Sequence, residues 1–225
     1  ANIVFEDANL AEAIPFSCMF AMANNGEGCA LPTRLLIQRS VYPQALEHVA
    51  AVMGSFKVGD PFEADTYIGP LINTAAVERV ESMVAQAVST NAGRLVVGGD
   101  RPGGELSQGF FVNPTVLADV DPDSEIAQRE VFGPVLSVIP FDTEEDAVRI
   151  ANSTVYGLTN YIQSADHRRV RRLVPQLNCG TIGVNSAACM THLAPFGGCG
   201  VSGFGREGGK AGIDEFVKVK TVLEK

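Results

Sequence analysis

Val135-Leu136-Ser137-Val138-Ile139-Pro140, the run Thr143 to Asn152, Leu158-Thr159-Asn160-Tyr161-Ile162-Gln163, the run Ala165 to Leu177, and Thr181-Ile182-Gly183-Val184-Asn185 succeed one another in the second half of this chain. The three short runs are rich in branched apolar residues, as strands are, and the two longer runs have helical length and spacing. Strand and helix in regular alternation imply a parallel sheet with helices over both faces. The pattern extends upstream. A strand is expected near Leu35 to Gln38. An amphipathic helix follows over Pro43 to Phe56, apolar at Leu46, Val49, Ala50 and Met53. A second long helix spans Thr74 to Ala92, with Val77, Val80, Val84 and Val88 on one side. Strands are expected at Arg94 to Val97 and Thr115 to Val120. Asn9-Leu10-Ala11-Glu12 reads as a capping box opening a helix to about Ala23, which Pro15 should kink or shift. Ligands of such sheets sit beyond the carboxyl ends of strands, so the loop after Asn185, residues 186–194, is the expected lip of a pocket.

The fold class expected is therefore α/β: an open, mostly parallel sheet with helices on both faces, plus one strand at the C-terminus. Phe216-Val217-Lys218-Val219-Lys220-Thr221-Val222-Leu223 alternates apolar and polar residues with no helix after it. Two readings stand side by side: an edge strand of the chain's own sheet, or a strand added to the sheet of another chain.

Composition narrows the function. The 225 residues are 46% hydrophobic and 19% charged, ordinary for a globular protein with a sizeable core. A formal charge of -9 and a pI near 4.8 argue against nucleic acid and anionic membranes as partners. No apolar run is long enough to span a bilayer, and the start Ala1-Asn2-Ile3-Val4-Phe5-Glu6 lacks the basic region of a signal peptide. With no initiator Met, the chain reads as part of a longer protein. The basic group His167-Arg168-Arg169 with Arg171-Arg172 reads as the solvated side of a helix. The five cysteines, Cys18, Cys29, Cys179, Cys189 and Cys199, show neither C-x-x-C pairing nor metal-ligand spacing. No metal is expected, and reduced thiols point to a cytoplasmic location.

Cys29 ends the run Asn24-Asn25-Gly26-Glu27-Gly28-Cys29, between a helical stretch and a strand. Glycines on both sides of Glu27 permit a tight turn that can aim a thiolate at a carbonyl. A small core residue is the alternative. Glu130-Val131-Phe132-Gly133-Pro134 sets a carboxylate and an aromatic ring two apart, on one side of an extended segment. A carboxylate can accept from both hydroxyls of a ribose, and a ring can flank a flat nicotinamide. A surface carboxylate ahead of a core ring is the plainer account. Gly198-Cys199-Gly200-Val201-Ser202-Gly203 matches G-x-G-x-x-G formally, but no apolar strand precedes it and no helix directly follows. A Cys-His protease would need His48, His167 or His192 as base, and only His192 lies in the expected pocket loop.

These segments, in order with Pro195-Phe196-Gly197-Gly198 and Ser202-Gly203-Phe204-Gly205-Arg206-Glu207, resemble the aldehyde dehydrogenase superfamily. The likeness also takes in Asn2-Ile3-Val4-Phe5, Val58-Gly59-Asp60-Pro61, Gly69-Pro70, Asn113-Pro114-Thr115, Tyr156-Gly157-Leu158 and Gly183-Val184-Asn185, nearly end to end. The resemblance implies that Cys29 is the nucleophile, that Glu130 binds the nicotinamide ribose and that Phe132 lies against the nicotinamide. It sets Asn185 and Phe196 at or near the substrate end of a tunnel. It implies an aldehyde substrate and NAD or NADP as cofactor. The reaction implied is oxidation to a carboxylic acid through a thiohemiacetal and a thioester. It divides the chain into a catalytic domain, 1–213, and a terminal strand, 214–225, pairing subunits in a homodimer or homotetramer. The family's general-base glutamate, a second oxyanion donor and the dinucleotide-binding domain match positions upstream of Ala1, so the chain alone is expected to be inactive. A relative that passes the acyl group to coenzyme A, and a non-catalytic assembly module, are the alternatives. The loop 186–194 has no aromatic residue and no fixed charge, which favours a medium or large apolar aldehyde.

Overall fold

The computed structural model describes residues 1–186 and 191–225. In chain order its elements are β1 (Asn2–Val4), α1 (Leu10–Met22), β2 (Arg34–Gln38), α2 (Tyr42–Gly54), α3 (Thr74–Ser89), β3 (Arg94–Val97) and β4 (Thr115–Ala118). There follow α4 (Glu125–Gln128), β5 (Val135–Phe141), α5 (Glu144–Ala151), β6 (Thr159–Gln163), α6 (His167–Leu173), β7 (Thr181–Val184) and α7 (Gly209–Asp214). The strands form a seven-stranded sheet in the order β3-β4-β5-β2-β1-β6-β7. Every neighbouring pair is parallel except β3 with β4, which is antiparallel and makes the one reversed edge.

Strand alternation sends side chains to two cores. Leu35 and Ile37 of β2 pack with Ile14, Cys18 and Met22 of α1 and with Val49 and Met53 of α2. Leu36, between them, faces the other way, with Ile3, Val77, Val80 and Val84 of α3, Ile150 of α5 and Leu173 of α6. Each such side chain, fully buried, contributes about 1.5–3 kcal/mol. The stripe on α3 ends differently from expectation. Ala87 takes the last core position and Val88 is exposed, because the spacing 77, 80, 84, 87 follows the helical period and 88 falls one step off it. Asn91, in the left-handed region at φ 56°, closes α3, and Ala92 N–H donates to the Ala87 carbonyl.

Caps fix the starts of three helices. The Asn73, Thr143 and Asp166 side chains accept from the backbone N–H groups of Ala76, Asp146 and Arg168. The expected capping box at Asn9 does not form through side chains. Glu12 and Ala13 donate instead to the Asn9 carbonyl. Pro15 neither breaks α1 nor moves its start. The carbonyl it leaves without a helical donor belongs to Ala11, which is exposed to water. α6 is shorter than its sequence pattern, because Pro175 turns the last residues, Val174–Gln176, into a 3₁₀ turn.

The terminal alternation makes no strand within this chain. Residues 217–225 pair with no strand of the sheet and stand exposed, with Val219 98% and Leu223 93% accessible. The reading as an edge strand of the chain's own sheet is thereby overturned. A strand needs a neighbour for its backbone groups, and none of the described residues supplies one. No helix among the described residues is long and apolar enough to cross a membrane.

Candidate active site

Three consecutive residues at the end of α1 have left-handed backbone: Asn24 at φ 49°, Asn25 at φ 60° and Gly26 at φ 73°. Asparagine tolerates this region better than most residues, and glycine freely. The turn brings Cys29 to the surface, where it is exposed. The Ala30 carbonyl that follows accepts from Thr159 Oγ1 at 3.1 Å and Tyr161 Oη at 2.8 Å, which ties the loop to β6.

Gly26 also lets two loops touch. A methyl group there would lie 2.1 Å from the Gly133 carbonyl oxygen, so only a residue without a side chain fits. Through this contact the Cys29 loop rests on the loop Glu130 to Pro134. α3 holds the second loop from behind. Arg79 donates from Nε to the Val131 carbonyl at 2.8 Å and from Nη2 to the Phe132 carbonyl at 3.1 Å. Phe132 itself is left-handed, at φ 55°, and its ring is partly exposed. The segment is therefore not extended through Phe132, contrary to expectation, and Glu130 and Phe132 do not share one side of a strand. The chain must turn there to enter Gly133-Pro134 in contact with Gly26 and Val80.

Cys29 and Glu130 line one crevice of about 280 Å³, together with Leu31, Arg34, Tyr156 and Leu158. Partial burial raises the Glu130 carboxyl above its ordinary value, and the Arg79 charge pulls it the other way. Arg34 spends its guanidinium on the Ile150 and Ala151 carbonyls at the end of α5 and on Ser153, and burial lowers it to about 10. Cys18, the other cysteine of this region, is sealed in the core, where burial pushes its thiol up to about 12.

The crevice lies at the amino ends of the parallel strands, since Arg34, which follows Thr33, opens β2, Val135 opens β5 and Thr159 opens β6. The expected position beyond the carboxyl ends holds a separate hollow, lined by Gln163, Ser164 and Asn185 at the ends of β6 and β7. Cys29 and Glu130 both stand in segments that lead into strands, and such segments meet the sheet at its amino edge. Asn185 stands at the opposite edge, just past β7. Its side chain accepts from Ser164 N–H at 3.0 Å and donates to the Ser164 carbonyl at 2.9 Å. Phe196 pairs through its backbone with Glu207 and borders a separate hollow with Thr191 and His192. The structure thus brings Cys29 and Glu130 together, with Phe132 on the same loop, and leaves Asn185 and Phe196 apart from them. Residues 187–190 of the expected pocket loop, Cys189 included, lie outside the described residues. No histidine lines the crevice among the described residues, which removes the base a protease would need. No cluster of metal-ligating side chains occurs among them. Arg79 and Asn25, which hold the two loops, had no local sequence signal, because their partners are distant backbone groups.

The family model for the aldehyde dehydrogenase family matches residues 1–222. The chain belongs to the aldehyde dehydrogenase family. It is 41% identical to the mitochondrial succinate-semialdehyde dehydrogenase of Arabidopsis thaliana, over 98% of this chain and 41% of that protein. It is 40% identical to the 3-succinoylsemialdehyde-pyridine dehydrogenase of a Pseudomonas species, over 99% of this chain and 46% of that protein. The Mycobacterium tuberculosis aldehyde dehydrogenase solved with NAD+ superposes with a TM-score of 0.95 at 42% identity, covering 100% of this chain and 46% of that one. A mutant of aldehyde dehydrogenase C of Pseudomonas syringae, solved with NAD+ and octanal, gives a TM-score of 0.91 at 37% identity, covering 96% and 44%. The chain thus spans less than half the length of these aldehyde dehydrogenases.

Proposed function

We propose that this chain carries the nucleophile and the ribose-facing carboxylate of an NAD(P)-dependent aldehyde dehydrogenase that oxidises an aldehyde to a carboxylic acid. The observation that carries the reading is the meeting of an exposed Cys29 and Glu130 in one crevice, on two loops in contact. Cys29 Sγ, as thiolate, attacks the aldehyde carbon. A sulfur–carbon bond forms and the carbonyl electron pair moves to oxygen, giving a thiohemiacetal. The Cys29 backbone N–H has no partner among the described residues and is one donor for that oxygen. Collapse expels the hydrogen of that carbon as hydride and leaves a thioester on Cys29. Water then forms the acid and frees the thiolate. NAD or NADP, when bound, supplies the hydride acceptor. The donor set fits that group: the Glu130 carboxylate, an acceptor only, suits a pair of ribose hydroxyls, and the Phe132 ring offers a partly exposed apolar face.

The substrate reading is a medium or large apolar aldehyde. It is supported by Leu31, Val131, Tyr156 and Leu158 in the crevice. Asn185 and Phe196 are assigned to the substrate end on the family likeness. The Asn185 amide is spent on Ser164. The exposed alternation at 216–223 supports pairing with a second copy of the chain in a homodimer or homotetramer. In a protein that joins this chain to the remaining length of its relatives, Cys29→Ser lowers NADH formation at 340 nm on the order of 10³-fold or more. Full activity in that variant refutes the reading. Higher kcat/KM on succinate semialdehyde than on octanal overturns the substrate class. The purified chain alone forms no NADH.

A further inference from the structure

We propose that Asn25 is a positioning residue for Cys29: its side-chain amide fastens the nucleophile's loop to the segment leading into α3. This rests on Cys29 being the nucleophile. Asn25 Oδ1 accepts from Gly69 N–H at 2.7 Å, and Nδ2 donates to the Pro70 carbonyl at 3.1 Å. Only a carboxamide of this length meets one backbone donor and one backbone acceptor at once. Aspartate keeps the acceptor and loses the donor, and alanine loses both. Two residues on, Glu27 Oε1 accepts from Ile72 N–H at 3.3 Å, a second tie to the same segment. Glu27 is thereby drawn toward residue 72. Asn24 Nδ2 closes the turn on the Glu27 carbonyl at 2.8 Å.

The segment so gripped continues directly into α3, whose Arg79 holds the Val131 and Phe132 carbonyls. One continuous piece of chain, residues 69 to 79, therefore holds both loops of the crevice. Gly26, adjacent to Asn25, is the residue that touches Gly133. Asn25 thus sets where the Cys29 loop meets the Glu130 loop. It touches no reacting atom itself, and its left-handed backbone is a conformation that the side-chain bonds hold in place.

The test is the alkylation rate of Cys29 by iodoacetamide from pH 6 to 10, read by peptide mapping. It compares the intact chain, its variants and a synthetic peptide of residues 22–33. In the wild-type chain the Cys29 rate differs at least fivefold from that of the free peptide at the same pH. Asn25→Ala and Asn25→Gly both converge on the peptide. The glycine variant matters because it removes the amide while relieving the left-handed strain, so it folds where the alanine variant fails. Asn25→Asp falls between, and Glu27→Gln, which keeps an acceptor for Ile72, stays at the wild-type profile. Wild-type behaviour in Asn25→Gly overturns the proposal, as does a wild-type chain that already matches the peptide. Loss of the catalytic reading itself shows separately, as full NADH formation by Cys29→Ser.

Discussion

Gly26→Ala is the substitution that tests the geometry of the crevice most directly. The new methyl carbon would stand 2.1 Å from the Gly133 carbonyl oxygen, 2.3 Å from its carbon and 2.8 Å from the Pro134 nitrogen. All three are backbone atoms, so no rotamer change relieves the clash, and one loop must retreat by roughly 1 Å to reach van der Waals contact. Overpacking of this kind costs about 1–3 kcal/mol. The left-handed backbone at φ 73° adds about 1–2 kcal/mol once glycine is replaced. Together they predict a loss of about 2–5 kcal/mol. For a chain of this size that is a fall in Tm of about 4–20 °C. Urea unfolding followed by far-UV circular dichroism measures the loss. The same displacement separates Cys29 from Glu130, and a misplacement of ~1 Å in an active site costs about 10²-fold in rate. An unchanged unfolding midpoint in this chain, with NADH formation within twofold of wild type when the variant is carried in the protein that joins this chain to the remaining length of its relatives, would refute the contact between the two loops, and with it the common crevice.

Arg169 is mostly buried, pairs with both Asp7 and Glu144, and lies 4.5 Å over the Phe5 ring. Arg169→Met keeps the stem but removes one cation shared by two partly buried carboxylates, leaving Glu144 with Arg172 and Asp7 with Ser164 and the Asp166 N–H, and is expected to cost about 1–3 kcal/mol in urea unfolding. An unchanged midpoint counts against it. The same network sets the acid limit of stability. The arginines beside Glu144 and the helix N–H groups at Asp166 hold both carboxyls below their ordinary values. Their contribution is present above the unfolded carboxylate range and is lost as pH falls through the folded values, so Tm should drop on acidification below about pH 4. Arg172→Met, which removes the largest of these causes at Glu144, should flatten that drop. Cys18 acts at the other end of the scale. Its thiol, raised to about 12, stays protonated in the fold while the unfolded thiol ionises near 9, so stability falls between those values as pH rises. Cys18→Ala should reduce that alkaline loss and leave the part owed to Tyr42, whose phenol burial also pushes up to about 12. In the native chain, Cys18 should resist iodoacetamide at pH 8.5 until urea unfolds it. Val219→Lys places a charge on the exposed terminal alternation and should shift the protein toward monomer in analytical ultracentrifugation, with no change in Tm of the monomer.

Much of the fold was legible because burial follows period. Residues 135–185 alternate in a way that admits only parallel strands under helices, and each of those strands is present within a residue or two. What sequence could not carry was anything decided by a distant backbone. The capping box at Asn9 was a local pattern with no tertiary need, and carbonyl bonds took its place. Pro15 looked like a helix breaker because its cost is local, yet the packing of Ile14, Cys18 and Met22 on β2 outweighs one missing hydrogen bond. Phe216 to Leu223 has strand composition, but pairing is a property of two chains' edges and cannot be read from one. At the site, Cys29 and Glu130 were visible as reactive types in glycine-bearing turns. Arg79 and Asn25 were invisible, since what they grip are carbonyls and N–H groups that every residue carries.

The placement of the crevice follows from the same logic. Cys29 stands five residues before Arg34, the first of β2, and Glu130 five residues before Val135, the first of β5. β2 and β5 are neighbours in the sheet, with Arg34 opposite Ser137. Two loops of equal reach, entering adjacent parallel strands from the same side, must meet at the amino edge. The general rule that ligands gather at carboxyl edges rests on loops that leave strands and point helix N-termini at the ligand. Neither loop here is of that kind. The crevice has no helix dipole aimed into it from these segments. Its polarity comes instead from side chains on its wall, Glu130, Arg34, Gln128 and Asn160 among them. Under the proposed roles of Cys29 and Glu130, both of which precede their strands, the chemistry falls at that edge whatever the helices do.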